Sequence, residues 1–277
     1  MKNYVITCLL LLLLIGCNDD ERKAKEMLGR AEQLYENRQY ELVRHALDSI
    51  KASYPKQIKV LKDGLQLMRQ VDLKEQERNI VFCDSMLLVR EAEADSMKKL
   101  FVYEKDPEYD DIGKYVDKQQ VLERNLQRSY IRSGVNELGE LYIASVYYGS
   151  GRIRHQQMKV TAPDNTYAET AVISEDGGLN YAFEDLGMTT EVVTYQKGGD
   201  NNVALFIYNL KDTRLKAELI GRKPYSFTIS DGDKKSLAKT YDFSIILSDI
   251  ERLKKEKEKA ESRIIYLQLK LEERTPE

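Results

Sequence analysis

Apolar residues recur at three- and four-residue steps through the first third of the chain, a spacing typical of amphipathic helices. Two such stretches, separated by the polar residues 36–39, predict a helical hairpin over residues 22–55 that ends at a proline. The same spacing continues over residues 56–103 and predicts one long helix. A shorter connecting helix is predicted over residues 116–131, so the region 56–131 is predicted to hold a long helix and a connecting helix.

The pattern changes to short β-branched and tyrosine-rich runs over residues 137–230, with glycine, asparagine and aspartate clusters between most of them. Eight strands are predicted there: 140–148, 156–162, 166–174, 178–184, 189–196, 203–210, 214–220 and 225–230. A spacing of about 8–12 residues between strands is typical of an antiparallel sandwich or small barrel.

The last predicted element is a second long helix over residues 233–273, whose apolar positions alternate three- and four-residue steps for four heptads. This coiled-coil seam either pairs with the earlier long helix in the same chain or self-associates through residues 243–271 in a parallel dimer. The predicted fold class is therefore α+β. It consists of an N-terminal helical hairpin and long helix, an antiparallel β sandwich or barrel head, and a C-terminal coiled-coil helix that pairs with the earlier long helix as a stalk.

Composition argues against several classes of function. The 277 residues carry 43 Lys and Arg against 46 Asp and Glu, a net charge of −3, so a basic surface for nucleic acid is not expected. The only histidines are His45 and His155, and the chain has no phosphate-binding glycine loop and no nucleophile elbow. We therefore expect a protein that is not an enzyme and has no metal or cofactor.

The N-terminus has the pattern of a secretory leader. Lys2 precedes an apolar run over residues 5–15, which is shorter than the roughly 20 residues that span a bilayer. The run ends in Leu14-Ile15-Gly16-Cys17, and this motif resembles the lipobox of bacterial lipoproteins. The resemblance implies removal of residues 1–16, a diacylglyceryl thioether on Cys17 with a further acyl group, and thus a membrane anchor made of acyl chains.

The residues after Cys17 bear on destination. Asn18 lies where an aspartate favours inner-membrane retention in enterobacterial lipoproteins, so the outer membrane is the expected location. The acidic run Asp19-Asp20-Glu21 belongs to the predicted tether, residues 17–21, and resembles the export signal of surface lipoproteins in Bacteroidota. The cell surface is therefore preferred and the periplasmic face is the alternative. Cys83 is the one remaining thiol of the anchored chain, and the apolar seam around it predicts that it is buried.

Within the hairpin, small, aromatic and aliphatic residues stand at fixed offsets from the closing proline: Ala31, Leu34, Tyr40 and Leu47. This pattern resembles a single tetratricopeptide repeat, with Met27 in place of the usual tryptophan. About three repeats are needed for a stable array, so the resemblance indicates a repeat-like hairpin and does not indicate a peptide-binding groove.

Tyrosine is the compositional feature that indicates recognition, since the chain has 18 tyrosines and no tryptophan. Four tyrosines of the β region are candidate contacts with a partner or glycan: Tyr147, Tyr148, Tyr195 and Tyr208. The adjacent pair must point to opposite faces of a strand. Together these features predict a non-catalytic, lipid-anchored envelope protein that binds or scaffolds a protein partner. The alternative is a surface lipoprotein that binds glycans through its tyrosine-rich β region.

Overall fold

The computed structural model describes residues 2–108 and 111–273, with side chains from residue 19 onward. The side chains of the predicted leader and of Cys17 lie outside this part. Five α-helices are described: α1 (Lys2–Glu36), α2 (Tyr40–Ser53), α3 (Ile58–Lys98), α4 (Val203–Asn209) and α5 (Asp231–Glu272). Together with two antiparallel sheets they confirm the predicted α+β class.

Within the described residues, ten strands form the sheets: β1 (Phe101–Glu104), β2 (Lys114–Asp117), β3 (Tyr130–Asn136), β4 (Leu141–Gly149), β5 (Gln157–Thr161), β6 (Tyr167–Glu169), β7 (Asn180–Asp185), β8 (Met188–Tyr195), β9 (Lys216–Ile220) and β10 (Tyr225–Thr228). The six-stranded sheet has the order β1-β2-β3-β4-β8-β7 and the four-stranded sheet the order β10-β9-β5-β6. Every pairing is antiparallel, so short connections suffice between most neighbouring strands.

The prediction of a helix over residues 116–131 is wrong. This stretch holds the end of β2, a single 3-10 turn at Leu122–Arg124 and the start of β3. The Asp117 carboxylate accepts from the Gln119 N–H at 2.9 Å, and the Asn125 amide donates to the Gln119 carbonyl at 2.9 Å. These side chains take up backbone groups that a helix would have used, which explains why an apolar spacing here does not produce a helix.

The predicted strand over residues 203–210 is also wrong, because this segment is α4. Val203, Ala204 and Ile207 are fully buried, and their spacing places them on one face of a helix. The predicted long helix ends at Lys98, and Phe101 is the first residue of β1 rather than part of the helical seam. The β structure therefore begins well before residue 137.

One compact unit comprises residues up to 85 and from 255 onward. Its core joins α1, α2 and α3: Ala24, Leu28, Ala31, Tyr40, Val43, Leu47, Ile50, Val60, Leu67 and Val71. Arg44 of α2 donates to Asp72 of α3 at 2.7 Å and also to Glu75. Ile58 and Leu65 belong to the apolar spacing that predicts the long helix, but their side chains are exposed. Cys83 is fully buried, which confirms its predicted environment.

The predicted pairing of the last helix with the earlier long helix is confirmed. In this unit the Lys257 ammonium lies 2.6 Å from the Asp84 carboxylate, and Arg263 lies 3.5 Å from Asp72. Residues later in α3 thus contact residues earlier in α5, as expected for antiparallel helices. Ala260 and Leu267 of the predicted seam are buried.

The other compact unit comprises residues 86–254. Its main core lies between the inner faces of the two sheets and α4: Ile131, Ile143, Tyr147, Met158, Val160, Val193, Tyr195, Val203, Ile207, Ala217 and Leu219 are among its residues. A second core joins α5 to β1, β2 and β3, where the Phe243 ring lies 4.8 Å from Phe101 and 5.2 Å from Tyr115. Arg90 of α3 pairs with Asp249 of α5 at 3.0 Å.

Candidate binding site at the edge of the six-stranded sheet

Strand β7 lies at one edge of the six-stranded sheet, and no strand among the described residues pairs with its other side. A two-residue turn, Leu186-Gly187, joins it to β8, and both residues have positive φ, 50° and 79°. This is the turn geometry that matches the twist of a hairpin. Leu186 is 93% exposed at its tip.

The register shows which backbone groups of β7 face the free edge. Asp185 pairs with Met188 across the turn, and the Thr194 N–H donates to the Leu179 carbonyl at 2.7 Å. Hydrogen-bonded and non-bonded pairs alternate in an antiparallel ladder, so Ala182 and Glu184 direct their N–H and C=O groups away from β8. These groups form an edge to which a further strand can bond.

The outer face of this sheet forms a groove of about 400 Å³ next to β7. It is lined by aromatic rings from three strands and by residues of the loop before β3: Leu122, Leu126, Arg128, Tyr130, Arg132, Tyr142, Tyr148, Tyr181, Phe183 and Leu186 are among them. Gly134 leaves room for the Tyr142 ring in its present position, since an added Cβ would lie 2.3 Å from the Tyr142 hydroxyl oxygen. We call this the aromatic groove.

Large apolar side chains at the aromatic groove are exposed to solvent. Leu122 is 57%, Leu126 63% and Phe183 51% exposed. Such a cluster is unusual on a protein surface and marks an interaction site more often than isolated exposed leucines do.

The cations of the aromatic groove already have carboxylate partners. Arg128 donates to Asp233 at 2.9 and 2.6 Å, and its guanidinium carbon lies 4.5 Å from the centre of the Tyr130 ring. Arg132 donates to both carboxylate oxygens of Glu104 at 2.9 Å. The groove is therefore suited to an apolar occupant rather than an anion.

The four predicted tyrosines are in different places. Tyr195 and Tyr147 belong to the buried core, so their prediction as contact residues is wrong. Burial raises the pKa of Tyr195 to about 12. Tyr208 lies on α4 and donates to Asp242 at 2.8 Å, away from the groove. Only Tyr148 lines the aromatic groove, and it does point opposite to Tyr147, as strand alternation predicts.

A second cavity of about 420 Å³ lies beside the same edge, on the inner side of β7. Three arginines, three amides and two carboxylates line it: Arg152, Arg154, Arg222, Gln156, Gln157, Asn180, Glu175 and Glu191. We call this the basic cleft. Arg152 pairs with Glu175, and Arg154 lies 3.9 Å from the same carboxylate.

Glu191 holds the loop that carries these arginines. One of its carboxylate oxygens accepts the N–H groups of Ile153 and Arg154 at 2.8 Å, and the other accepts the N–H and Nδ1 of His155 at 3.0 and 2.9 Å. Burial alone would raise the pKa of Glu191, but the His155 ring and these N–H groups outweigh it and lower the pKa to about 2. The carboxylate is thus ionised and fully hydrogen-bonded.

His155 continues this network to Ser145, whose hydroxyl lies 2.9 Å from Nε2 and 3.2 Å from the Tyr195 hydroxyl. The order serine, histidine, carboxylate is that of a hydrolase triad. Ser145 is completely buried, however, and lines neither cavity. These three side chains therefore form a buried polar network, and the serine is not accessible as a nucleophile. No local sequence pattern indicates this network, because its members are brought together only by strand pairing.

No group of three or more His, Cys, Asp or Glu side chains that could hold a metal ion occurs in the described part of the chain. Among the helices of that part, none has an apolar stretch long enough to cross a membrane. Comparison with known proteins identifies no family model, no curated relative and no solved structure that matches this chain.

Proposed function

We propose that this protein is a non-catalytic binding protein that takes up an extended segment of a partner protein as an additional strand on β7. The observation that carries the proposal is the free edge at Ala182 and Glu184 beside the exposed rings and leucines of the aromatic groove. Strand addition draws affinity from backbone hydrogen bonds and specificity from pockets for alternate side chains.

Natural sheets protect their edges with charges, prolines, bulges or covering segments, because an open edge invites pairing with another chain. β7 has acidic residues at its end, Glu184 and Asp185, but it exposes Tyr181 and Phe183 on one face. Here exposed aromatic side chains lie on an edge strand next to a concave apolar surface. This combination indicates that the edge binds a partner, rather than that it merely lacks protection.

The exposed leucines favour a protein over a glycan. Sugars stack on flat aromatic faces, and Tyr148 and Tyr181 would offer these. The exposed side chains of Leu122, Leu126 and Leu186 can pack against apolar groups of a partner, whereas the hydroxyl groups of a sugar gain little from such a contact. Glycan binding by the same groove is the alternative outcome, and saturation by oligosaccharides without any peptide binding would establish it.

The edge is tested with the peptide VTFTFTV, labelled with a fluorophore, and fluorescence anisotropy. Ala182→Pro is expected to abolish binding, because proline removes the N–H that faces the free edge while an outward-facing edge position tolerates the ring. Ala182→Val, which keeps the N–H, is the matched control and should bind as the wild type does. Equal binding by both variants would contradict strand addition. Dimers of the wild type that Ala182→Pro abolishes would identify the occupant as a second copy.

We further propose that the protein is anchored by acyl chains on Cys17 in the outer membrane and faces the cell surface. The support is the motif Leu14-Ile15-Gly16-Cys17 and the acidic residues that follow it. In cells fed labelled palmitate, the wild type is expected to carry label in the outer-membrane fraction, and Cys17→Ala to carry none. External protease should remove the wild type while a periplasmic marker survives. Protection of the protein in intact cells would instead place it on the periplasmic face.

A further inference from the structure

We infer that the basic cleft is a carboxylate subsite, which selects incoming strands that carry one acidic side chain between apolar ones. This inference rests on the proposed function, since the ligand must first add to β7. It assigns a ligand class to the cleft: the glutamate or aspartate side chain of an extended peptide.

The two faces of β7 lead to two different cavities. Tyr181 and Phe183 line the aromatic groove, whereas Asn180 and Ala182 line the basic cleft. Side chains of an added strand alternate in the same way, so every second one lies beside the groove and the others lie beside the cleft. An alternating apolar and polar peptide therefore meets both cavities at once.

The charges of the cleft favour an anion. Its three guanidinium groups face two carboxylates, and Glu191 already accepts four hydrogen bonds from the loop and from His155. Glu175 is the one carboxylate shared by Arg152 and Arg154. The Nε of Arg152 is buried without a hydrogen-bond partner among the described residues. An entering carboxylate would supply acceptors to this excess of donors, with the planar geometry that guanidinium groups match.

The backbone around Arg154 is held in place by its neighbours before any ligand binds. Arg154 has a positive φ of 53°, an uncommon conformation for a residue with a side chain. Gly221 packs directly against this turn, since an added Cβ would lie 2.5 Å from the Arg154 carbonyl oxygen. The Glu191 carboxylate fixes the N–H groups on the other side. Such a pre-formed site loses little entropy when it binds.

The preference is for a single acidic residue rather than an acidic run. Glu184 follows Ala182 on the inner face of β7 and would repel a second carboxylate at the next inward position. The whole chain carries a net charge of −3, so a preference for an acidic peptide must come from the local cleft and not from general attraction.

The test compares VTFEFTV with VTFQFTV, both labelled, on the full chain. The wild type is expected to bind the glutamate peptide about ten-fold more tightly, as for a charge-assisted hydrogen bond. Arg222→Gln should remove this preference by weakening the binding of VTFEFTV much more than that of VTFQFTV. Lys223→Gln is the matched control, because it removes the same charge from the neighbouring exposed residue, which does not line the cleft.

Three results overturn the inference, in distinguishable ways. Equal binding of the two peptides to the wild type contradicts the carboxylate subsite and leaves strand addition intact. A preference that Arg222→Gln and Lys223→Gln reduce equally shows a general charge effect. Absence of binding by either peptide contradicts the proposed function, and the subsite with it.

Discussion

Replacing Glu191 with glutamine is expected to lower the free energy of unfolding by about 3 kcal/mol, because it leaves buried donors without their acceptor. The carboxylate accepts three backbone N–H groups and the His155 ring, and the side chain is almost fully buried. The amide of glutamine turns one acceptor oxygen into a donor that faces these N–H groups. Urea unfolding followed by circular dichroism measures the change, with the transition of the unit over residues 86–254 as the readout.

Glu184→Gln on the neighbouring strand is the matched control, since Glu184 is exposed, and we expect a change within about 0.5 kcal/mol. The pH dependence gives a second readout. The pKa of Glu191 is lowered from its ordinary 4.5 to about 2. The ionised carboxylate therefore contributes fully to the free energy of unfolding above pH 4.5, and this contribution is lost as the pH falls toward 2. The difference in free energy of unfolding between the wild type and Glu191→Gln should therefore decrease as the pH falls from 4.5 to 2. A gap that stays constant would show that the ionised carboxylate is not the stabilising form.

Replacing Phe243 with alanine is expected to cost about 3–5 kcal/mol, the usual range for a large aromatic side chain removed from a core. Phe243 is fully buried on α5, and its ring contacts Phe101 of β1 and Tyr115 of β2. Three elements lose packing at once, and the backbones of a helix and two strands cannot collapse readily into the space. Thermal and urea unfolding should both register the loss.

Ile245→Ala is the matched control for this experiment. Ile245 lies two residues further along α5, is 47% exposed, and should change the free energy of unfolding by no more than about 0.5 kcal/mol. If Phe243→Ala costs no more than the Ile245 variant, the packing of α5 against β1 and β2 does not contribute to stability as the contacts indicate.

The sequence predicted the long helices and most of the later strands because their periodicity reflects burial. Phe243, Ile250, Leu253, Ala260 and Leu267 of the predicted seam are all buried. The wrong secondary structure is predicted where one pattern of apolar residues is compatible with two kinds of element. Val203 to Ile207 is short and continuously apolar, and such a run suits a buried strand or a buried helix equally well. Residues 116–131 have helical spacing, but side-chain bonds from Asp117 and Asn125 occupy the backbone.

The candidate site was beyond what the sequence could predict. Strand alternation did establish that Tyr147 and Tyr148 face opposite ways, although it could not tell which faces the core. The free edge of β7 depends on the order of strands in the sheet, which no local pattern encodes. Likewise, 36 residues separate His155 from Glu191, and only the pairing of distant segments brings them within hydrogen-bond distance.

The helical unit is built from two stretches of chain that lie far apart in sequence, residues up to 85 and from 255 onward. During synthesis the ribosome releases the N-terminal stretch first, and the end of α5 emerges only after the whole segment 86–254. We therefore expect the usual order, in which the N-terminal domain folds first, to be reversed here. The unit over residues 86–254 can fold as it is synthesised, whereas the apolar face of α3 in the helical unit stays uncovered until the end of α5 has been made.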